Sequence, residues 1–340
     1  DLAKRTGLTS KTINTIIKGT ASISPDTAIA LEAVLGRPAV YWLTLDAAYQ
    51  VKKASNAQDE ILKNDIDFLS AFDITSLVKE KWVKQHDDKV QQLKELLSFF
   101  GVATTKQLPQ VWSQLEVNYR SSQAYQKNHF HIMAWLRQGE RLAERINCDP
   151  YNNKKFKTAL AECRKLTNRS FCIVREKITS LCCSAGVAVV FVPEIKSIST
   201  SGAAQWLTKD KALIQLSLRG KRDDKFWFNF FHEAGHILLH GRKEKFIDNG
   251  VFSNSSNHIY LTPELKLIEA EADEFASSFL IPKKVFSEFI GKGDFTARSV
   301  KHFSEEIGIS PGIVVGQLQN RGFVRWDSKL NNLKRKYDFD

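Results

Sequence analysis

Residues 228–241 read FNFFHEAGHILLHG, which places two histidines four apart, with a glutamate beside the first, inside an apolar run. A run this apolar must be buried, and a buried polar side chain is costly unless it is paired or ligates an ion. The segment therefore predicts a buried helix, Asp224 to His240, packed against an element that supplies polar partners. Residues four apart on a helix lie one turn above each other, so His232 and His236 can offer two imidazoles to one ion. Glu233, turned about 100° away, can reach a water on that ion. Asp223 or Asp224 suits the helix start and Gly241 its close. A lone H-E-x-x-H also arises by chance, and the plain alternative is a helix whose histidines hydrogen-bond in a core or at the surface.

A third ligand would separate the two, because catalytic zinc usually has three protein ligands and one open position. TPELKLIEAEADEFASSFLIP predicts a second helix that starts at Thr262 and Pro263 and stops before Pro282. At about 100° per residue, Leu265, Ile268, Ala272, Phe275, Ala276 and Phe279 form one apolar arc. Glu269 falls within the arc once Leu280 is included, and Glu271 falls outside it. Glu269 is thus the expected third ligand and Glu271 the fallback. Asp273 shares the face of Glu269 and can orient His232 or His236 through the other ring N–H, and Ala272 and Ala276 keep that face small. His240, one turn beyond His236, is read as structural or as supporting a ligand. His86, His129, His131, His258 and His302 sit at no ligand spacing. Tyr260, His258 and the arginines are candidates for an electrophile, with no choice among them.

The rest of the chain predicts an α+β protein of 340 residues, 43% hydrophobic, without repeats. Residues 1–55 read as short helices with tight turns, and 56–167 as an all-helical, charged linker region. In 168–290, VAVVFVPE and ALIQLSLRG read as two strands joined by the two helices above, and 291–340 read as a helical tail. The second strand is expected to offer an edge for an extended peptide. The longest uncharged stretch, Ile178 to Pro193, falls short of the roughly 20 residues a spanning helix needs, so no membrane segment is expected. Five cysteines, Cys148, Cys163, Cys172, Cys182 and Cys183, show no C-x-x-C spacing, which favours reduced thiols and a cytoplasmic location. A formal charge of +11 favours an acidic partner such as nucleic acid.

DLAKRTGLTSKTINTIIKGT supplies a place for that partner. Ala3, Gly7 and Ile13 have the spacing of a helix-turn-helix, in which a small residue lets two helices approach and glycine permits the turn. With a second helix from about Ser10 to Lys18, Ile13, Ile16 and Ile17 are expected to face inward. Ser10, Lys11, Asn14 and Lys18 project outward as groove-reading and phosphate-contacting types. Four basic residues, Lys4, Arg5, Lys11 and Lys18, against Asp1 in the first 20 supply a positive field. The plain alternative is a small helical bundle whose polar face touches nothing.

LAKRTGLTSKTINTIIKG, SPDTAIALEAVLG and VYWLTLDAAY resemble the Xre-type helix-turn-helix of HigA-like antitoxins. The family's first helix has no counterpart after Asp1, which implies an upstream segment. FHEAGHILLHG followed by EAEADEFASSFLIP resembles the ImmA/IrrE family of metallopeptidases and, more distantly, the gluzincins with H-E-x-x-H plus E-x-x-x-D. The likeness extends through YRSSQAYQKNHFHIMAWLRQGE and ISPGIVVGQLQNRG. It implies zinc (Zn2+) held by His232, His236 and Glu269, with Glu233 as general base and acid. It also implies a cytoplasmic regulator that joins binding of double-stranded operator DNA, as paired copies, to cleavage of a protein such as a repressor or toxin encoded nearby. The alternative is an antitoxin-like autorepressor whose metal domain binds zinc or a partner without proteolysis.

Overall fold

The computed structural model describes residues 1–111, 123–195, 200–217, 221–240, 246–248 and 263–337. They divide into two compact units, Asp1–Leu69 with Gln85–Glu95, and Ser70–Lys84 with Leu96–Asp340.

The first unit contains α1 (Leu2–Thr6), α2 (Ser10–Ile17), α3 (Pro25–Leu35) and α4 (Ala39–Lys63). Its turns are set by local chemistry. Gly7 closes α1 at φ 73°, a left-handed conformation that glycine adopts without a Cβ clash. Thr9 then caps α2 by accepting from the Thr12 N–H at 3.0 Å, and Ser24 with Pro25 starts α3 in the same way. The turn after α2 is fastened to α4: Lys53 Nζ donates to the Gly19 carbonyl at 2.8 Å. A Cβ on Gly19 would lie 2.0 Å from the Tyr49 hydroxyl, so only glycine fits there. α4 runs unbroken through residue 55.

Further helices follow as α5 (Ile74–Lys79), α6 (Lys89–Phe100), α7 (Gln107–Val111), α8 (Gln123–Glu144), α9 (Asn153–Arg164) and α10 (Phe171–Cys183). A four-stranded sheet then forms from β1 (Val187–Phe191), β2 (Gly202–Thr208), β3 (Lys211–Leu216) and β4 (Phe246–Asp248). Its order is β1-β3-β2-β4, with β1 parallel to β3 and the other pairs antiparallel. Between β3 and β4 comes α11 (Asp223–Leu239), and after β4 come α12 (Pro263–Leu280), α13 (Lys283–Gly291), α14 (Ala297–Glu306) and α15 (Pro311–Asn320). The helical and sheet regions make the chain α+β, with two strands more than expected. Among the described residues no helix is long and apolar enough to cross a membrane.

The sheet has a helix on each face. On one side α8 lies against β1 and β3, where Gln215 Nε2 donates to the Trp135 carbonyl at 2.7 Å and Trp135 Nε1 to the Val192 carbonyl at 3.3 Å. On the other side Val189, Ala204, Ile214 and Leu216 pack with Trp227 and Phe230 of α11, all buried. The expectation that β3 offers an open edge fails. β3 is paired on both sides, by β1 and β2, so its backbone groups are already used and cannot bind an added strand.

Neither Asp223 nor Asp224 caps α11; the N-cap is Arg222, without a side-chain cap bond. The two acids instead fasten the end of the chain to the start of this helix. Asp223 accepts from Ser310 Oγ at 2.5 Å and from the Arg335 N–H at 3.0 Å, and Asp224 pairs with Lys334 at 2.5 Å in a buried bridge. Trp227 Nε1 donates to the Tyr337 hydroxyl at 3.1 Å. Burial, with the neighbouring Asp224 charge, pushes the Asp223 carboxyl up to about 6, against the hydrogen bonds that favour its ionised form. Between the ordinary carboxylate range and about 6 the native state holds a proton that the unfolded chain has lost, so this group's contribution to stability falls as pH rises through that window. Asp223→Asn removes the titration. The stability of the wild type relative to Asp223→Asn should therefore decline from about pH 4 to about pH 7 in urea unfolding, and a difference independent of pH would show that the carboxyl is not held up.

Candidate metal centre

α11 and α12 cross where the side chains are smallest. Gly235 of α11 faces Ala272 and Phe275 of α12, and a Cβ there would come within 3.3 Å of the Ala272 Cα and 3.1 Å of the Phe275 ring. Ala272 and Ala276 are fully buried in this seam, and the rings of Phe231 and Phe279 lie beside it, tilted by 30° with centroids 4.9 Å apart.

The crossing brings His232, His236 and Glu269 together. His232 Nε2 lies 3.0 Å from His236 Nε2 and 3.2 Å from Glu269 Oε2, and His236 Nε2 lies 3.7 Å from Glu269 Oε1. Three ligands bound at about 2.0–2.1 Å to one tetrahedral ion stand about 3.3 Å apart, close to these separations. Among the described residues this is the one set of three whose ligand atoms converge in this way. Both histidines are almost fully buried and the Glu269 side chain is 14% exposed.

Burial lowers the His236 imidazole to about 4. Burial pushes the Glu269 carboxyl up, but the two imidazoles beside it outweigh that and hold it down at about 2. At neutral pH His236 is therefore neutral and Glu269 ionised, the protonation states that metal ligands need. The outer partners follow the same logic. His232 Nδ1 bonds Asp273 Oδ1 at 2.9 Å, which leaves Nε2 as the bare nitrogen of the ring. Glu271 sits instead on the half-exposed side of α12, against His240 Nε2 at 3.1 Å. α12 thus sends the two acids in different directions, as the apolar arc predicts.

Glu233 is fully buried on the sheet side of α11. A Cβ on Gly202 of β2 would lie 2.4 Å from Glu233 Oε1, so the carboxyl occupies the space a side chain there would fill. β2 is one of the two strands that the sequence does not announce. Its first three residues are Gly202, Ala203 and Ala204, poor strand formers, and at Gly202 the close approach of Glu233 leaves no room for a side chain. An unexplained run of small residues before Gln205 and Trp206 was the available signal. His258 and Tyr260 lie outside the described residues, as does Gly241.

Of the four outward residues expected on α2, all of Ser10, Lys11, Asn14 and Lys18 are exposed. Ile13 and Ile16 are half-buried, but Ile17 is 75% exposed, contrary to expectation. The helix ends at Ile17, and none of its residues is fully buried.

A metallopeptidase-like site, two helices against a small sheet with a His-His-Glu set, and a helix-turn-helix unit define the class of protein. Comparison with known families agrees: residues 188–318 match the Peptidase_M78 family, described as an IrrE N-terminal-like domain, and residues 1–42 match a helix-turn-helix family, HTH_3. The chain has the combined architecture of a helix-turn-helix and an ImmA/IrrE-type domain. No curated protein matches it.

The helix crossing is directly testable. Gly235→Val would force α11 and α12 apart and should destabilise the protein by about 1–3 kcal/mol, measured by urea unfolding. A neutral effect would mean that the seam has slack the geometry does not indicate.

Proposed function

We propose that the chain is a cytoplasmic transcriptional regulator that couples operator binding by residues 1–55 to a zinc-dependent endopeptidase in residues 168–290. Residues 56–167 serve as a helical linker region and 291–340 as a tail. The observation that carries this reading is the convergence of His232, His236 and Glu269 beside a buried Glu233. A zinc ion held there would supply Lewis-acid polarisation of water and of the scissile carbonyl. Glu233 would take the proton of the attacking water and deliver it to the leaving amine, and Asp273 would hold His232 in its ligating tautomer. The substrate is a protein, with a repressor or toxin encoded nearby as the first candidate. Five unpaired cysteines support a reducing compartment.

The purified protein should bind about one zinc. His232→Ala, His236→Ala and Glu269→Ala should each remove or strongly weaken it, and Glu271→Ala, which removes no ligand, should cost far less than any of them. Co-expression with the products of adjacent genes should yield a cleaved neighbour, and Glu233→Gln should retain zinc while losing cleavage at least about a hundredfold. Equal cleavage by that variant would end the mechanism. Regulation that survives Glu233→Gln, with no cleaved neighbour, would favour the antitoxin-like autorepressor instead.

On the DNA side, Ser10, Lys11, Asn14 and Lys18 form the proposed contact face of α2, and one such helix spans few base pairs, so two copies would bind a palindromic or repeated site. Exposed Ile29, Val40, Leu45 and Val51 in this unit support pairing of copies. Affinity should fall steeply with salt, Lys11→Ala and Lys18→Ala should weaken binding, and Asn14→Ala should cost about 1–3 kcal/mol in a titration against operator DNA. Weak, sequence-independent binding unchanged by Asn14→Ala would make α2 a protein-docking element.

A further inference from the structure

His240 stands one turn beyond His236, where the chain leaves α11. Its backbone is extended, φ −105° and ψ 155°, while its N–H still bonds the His236 carbonyl at 3.1 Å. This conformation turns the imidazole back along the helix: His240 Nδ1 lies 3.0 Å from His236 Nδ1, and His240 Nε2 lies 3.1 Å from Glu271 Oε2. The His240 side chain is 7% exposed, so the connection is largely shielded from water.

With both rings neutral and the carboxylate ionised, these contacts admit one arrangement of protons. An ionised carboxylate only accepts, so His240 Nε2 carries the hydrogen. A neutral imidazole with its hydrogen on Nε2 has a bare Nδ1, which must accept from His236. His236 therefore carries its hydrogen on Nδ1 and presents a bare Nε2, the atom that lies among the metal-site donors. His232 reaches the same state by the shorter route through Asp273.

We propose that His240 and Glu271 are positioning residues for His236, a second supporting arm that fixes the tautomer and ring orientation of that ligand. The inference rests on the zinc-site reading above. It gives Glu271 a role although it lies outside the ligand set.

The test measures zinc affinity of the full chain by chelator competition, together with the visible spectrum of the Co2+ form. His240→Phe keeps a ring but has no acceptor, and should lower zinc affinity about 10–100-fold and alter the cobalt spectrum. His240→Asn places an amide oxygen near the former Nδ1, and should recover most of that loss. Equal losses in Phe and Asn would reduce His240 to packing and overturn the proposal, as would wild-type affinity in His240→Phe. If His240→Phe does not fold, Glu271 decides: Glu271→Gln keeps an acceptor for the Nε2 hydrogen and should bind zinc more tightly than Glu271→Ala, and equal affinities overturn the arm. A wild-type chain that binds no zinc sinks the underlying reading and this inference with it. Tight wild-type binding with unaffected variants sinks the inference alone.

Discussion

The crossing of α11 and α12 at Gly235 and Ala272 sets the distance between a carboxylate on one helix and two imidazoles on the other. Larger side chains in the seam would hold the helix axes apart, and Glu269 would end as an isolated buried charge instead of a partner to His232 and His236. Burial alone would drive such a carboxyl to its neutral form. The contact between the helices is thus what makes the ionised form of Glu269 tolerable, and an ionised Glu269 beside the imidazoles gives the cluster the donors that could hold a cation.

The two crossing helices are held from three directions, α11 from two and α12 from one. The sheet takes the apolar face of α11 through Trp227 and Phe230. The end of the chain ties down its first turn through Asp223 with Ser310 and Arg335, and through Asp224 with Lys334. Arg164 reaches the carbonyls of Phe279 and Leu280 at 3.0 Å and so closes the free end of α12. Ligand geometry must be held to a fraction of an ångström for a metal site to function, and rigid elements fixed at both ends achieve this better than loops. The residues of the tail therefore matter to the site although none of them enters it.

The first unit is organised on a different principle. Its short helices are set by Gly7, Thr9, Ser24 and Gly36, each acting through local backbone chemistry, and its α2 turn is tied to α4 through Lys53 and Tyr49 around Gly19. Rigidity at that turn fixes the direction of α2 while its polar residues stay in solvent, an arrangement suited to a helix that meets a partner from outside.

Local pattern by itself determined the two site helices, to within a residue of their observed ends, and put His232 with His236 on one helix face and Glu269 on the apolar side of the other, because helical periodicity fixes which side chains share a face; that the two faces meet is decided by the helix crossing. It also separated Glu269 from Glu271, since the apolar arc of α12 is a property of spacing alone. Tertiary structure decided the rest. The place of β3 in the middle of the sheet depends on strand pairing over long separations, and β2 was illegible because it opens on small residues, the first of which, Gly202, answers to Glu233, far away in sequence. Asp223 and Asp224 looked like local caps and became anchors for residues 310 and 334–335, because a buried acid takes the strongest partners that packing brings to it. The link from Glu271 through His240 to His236 likewise depends on the approach of two helices, which no window of sequence contains.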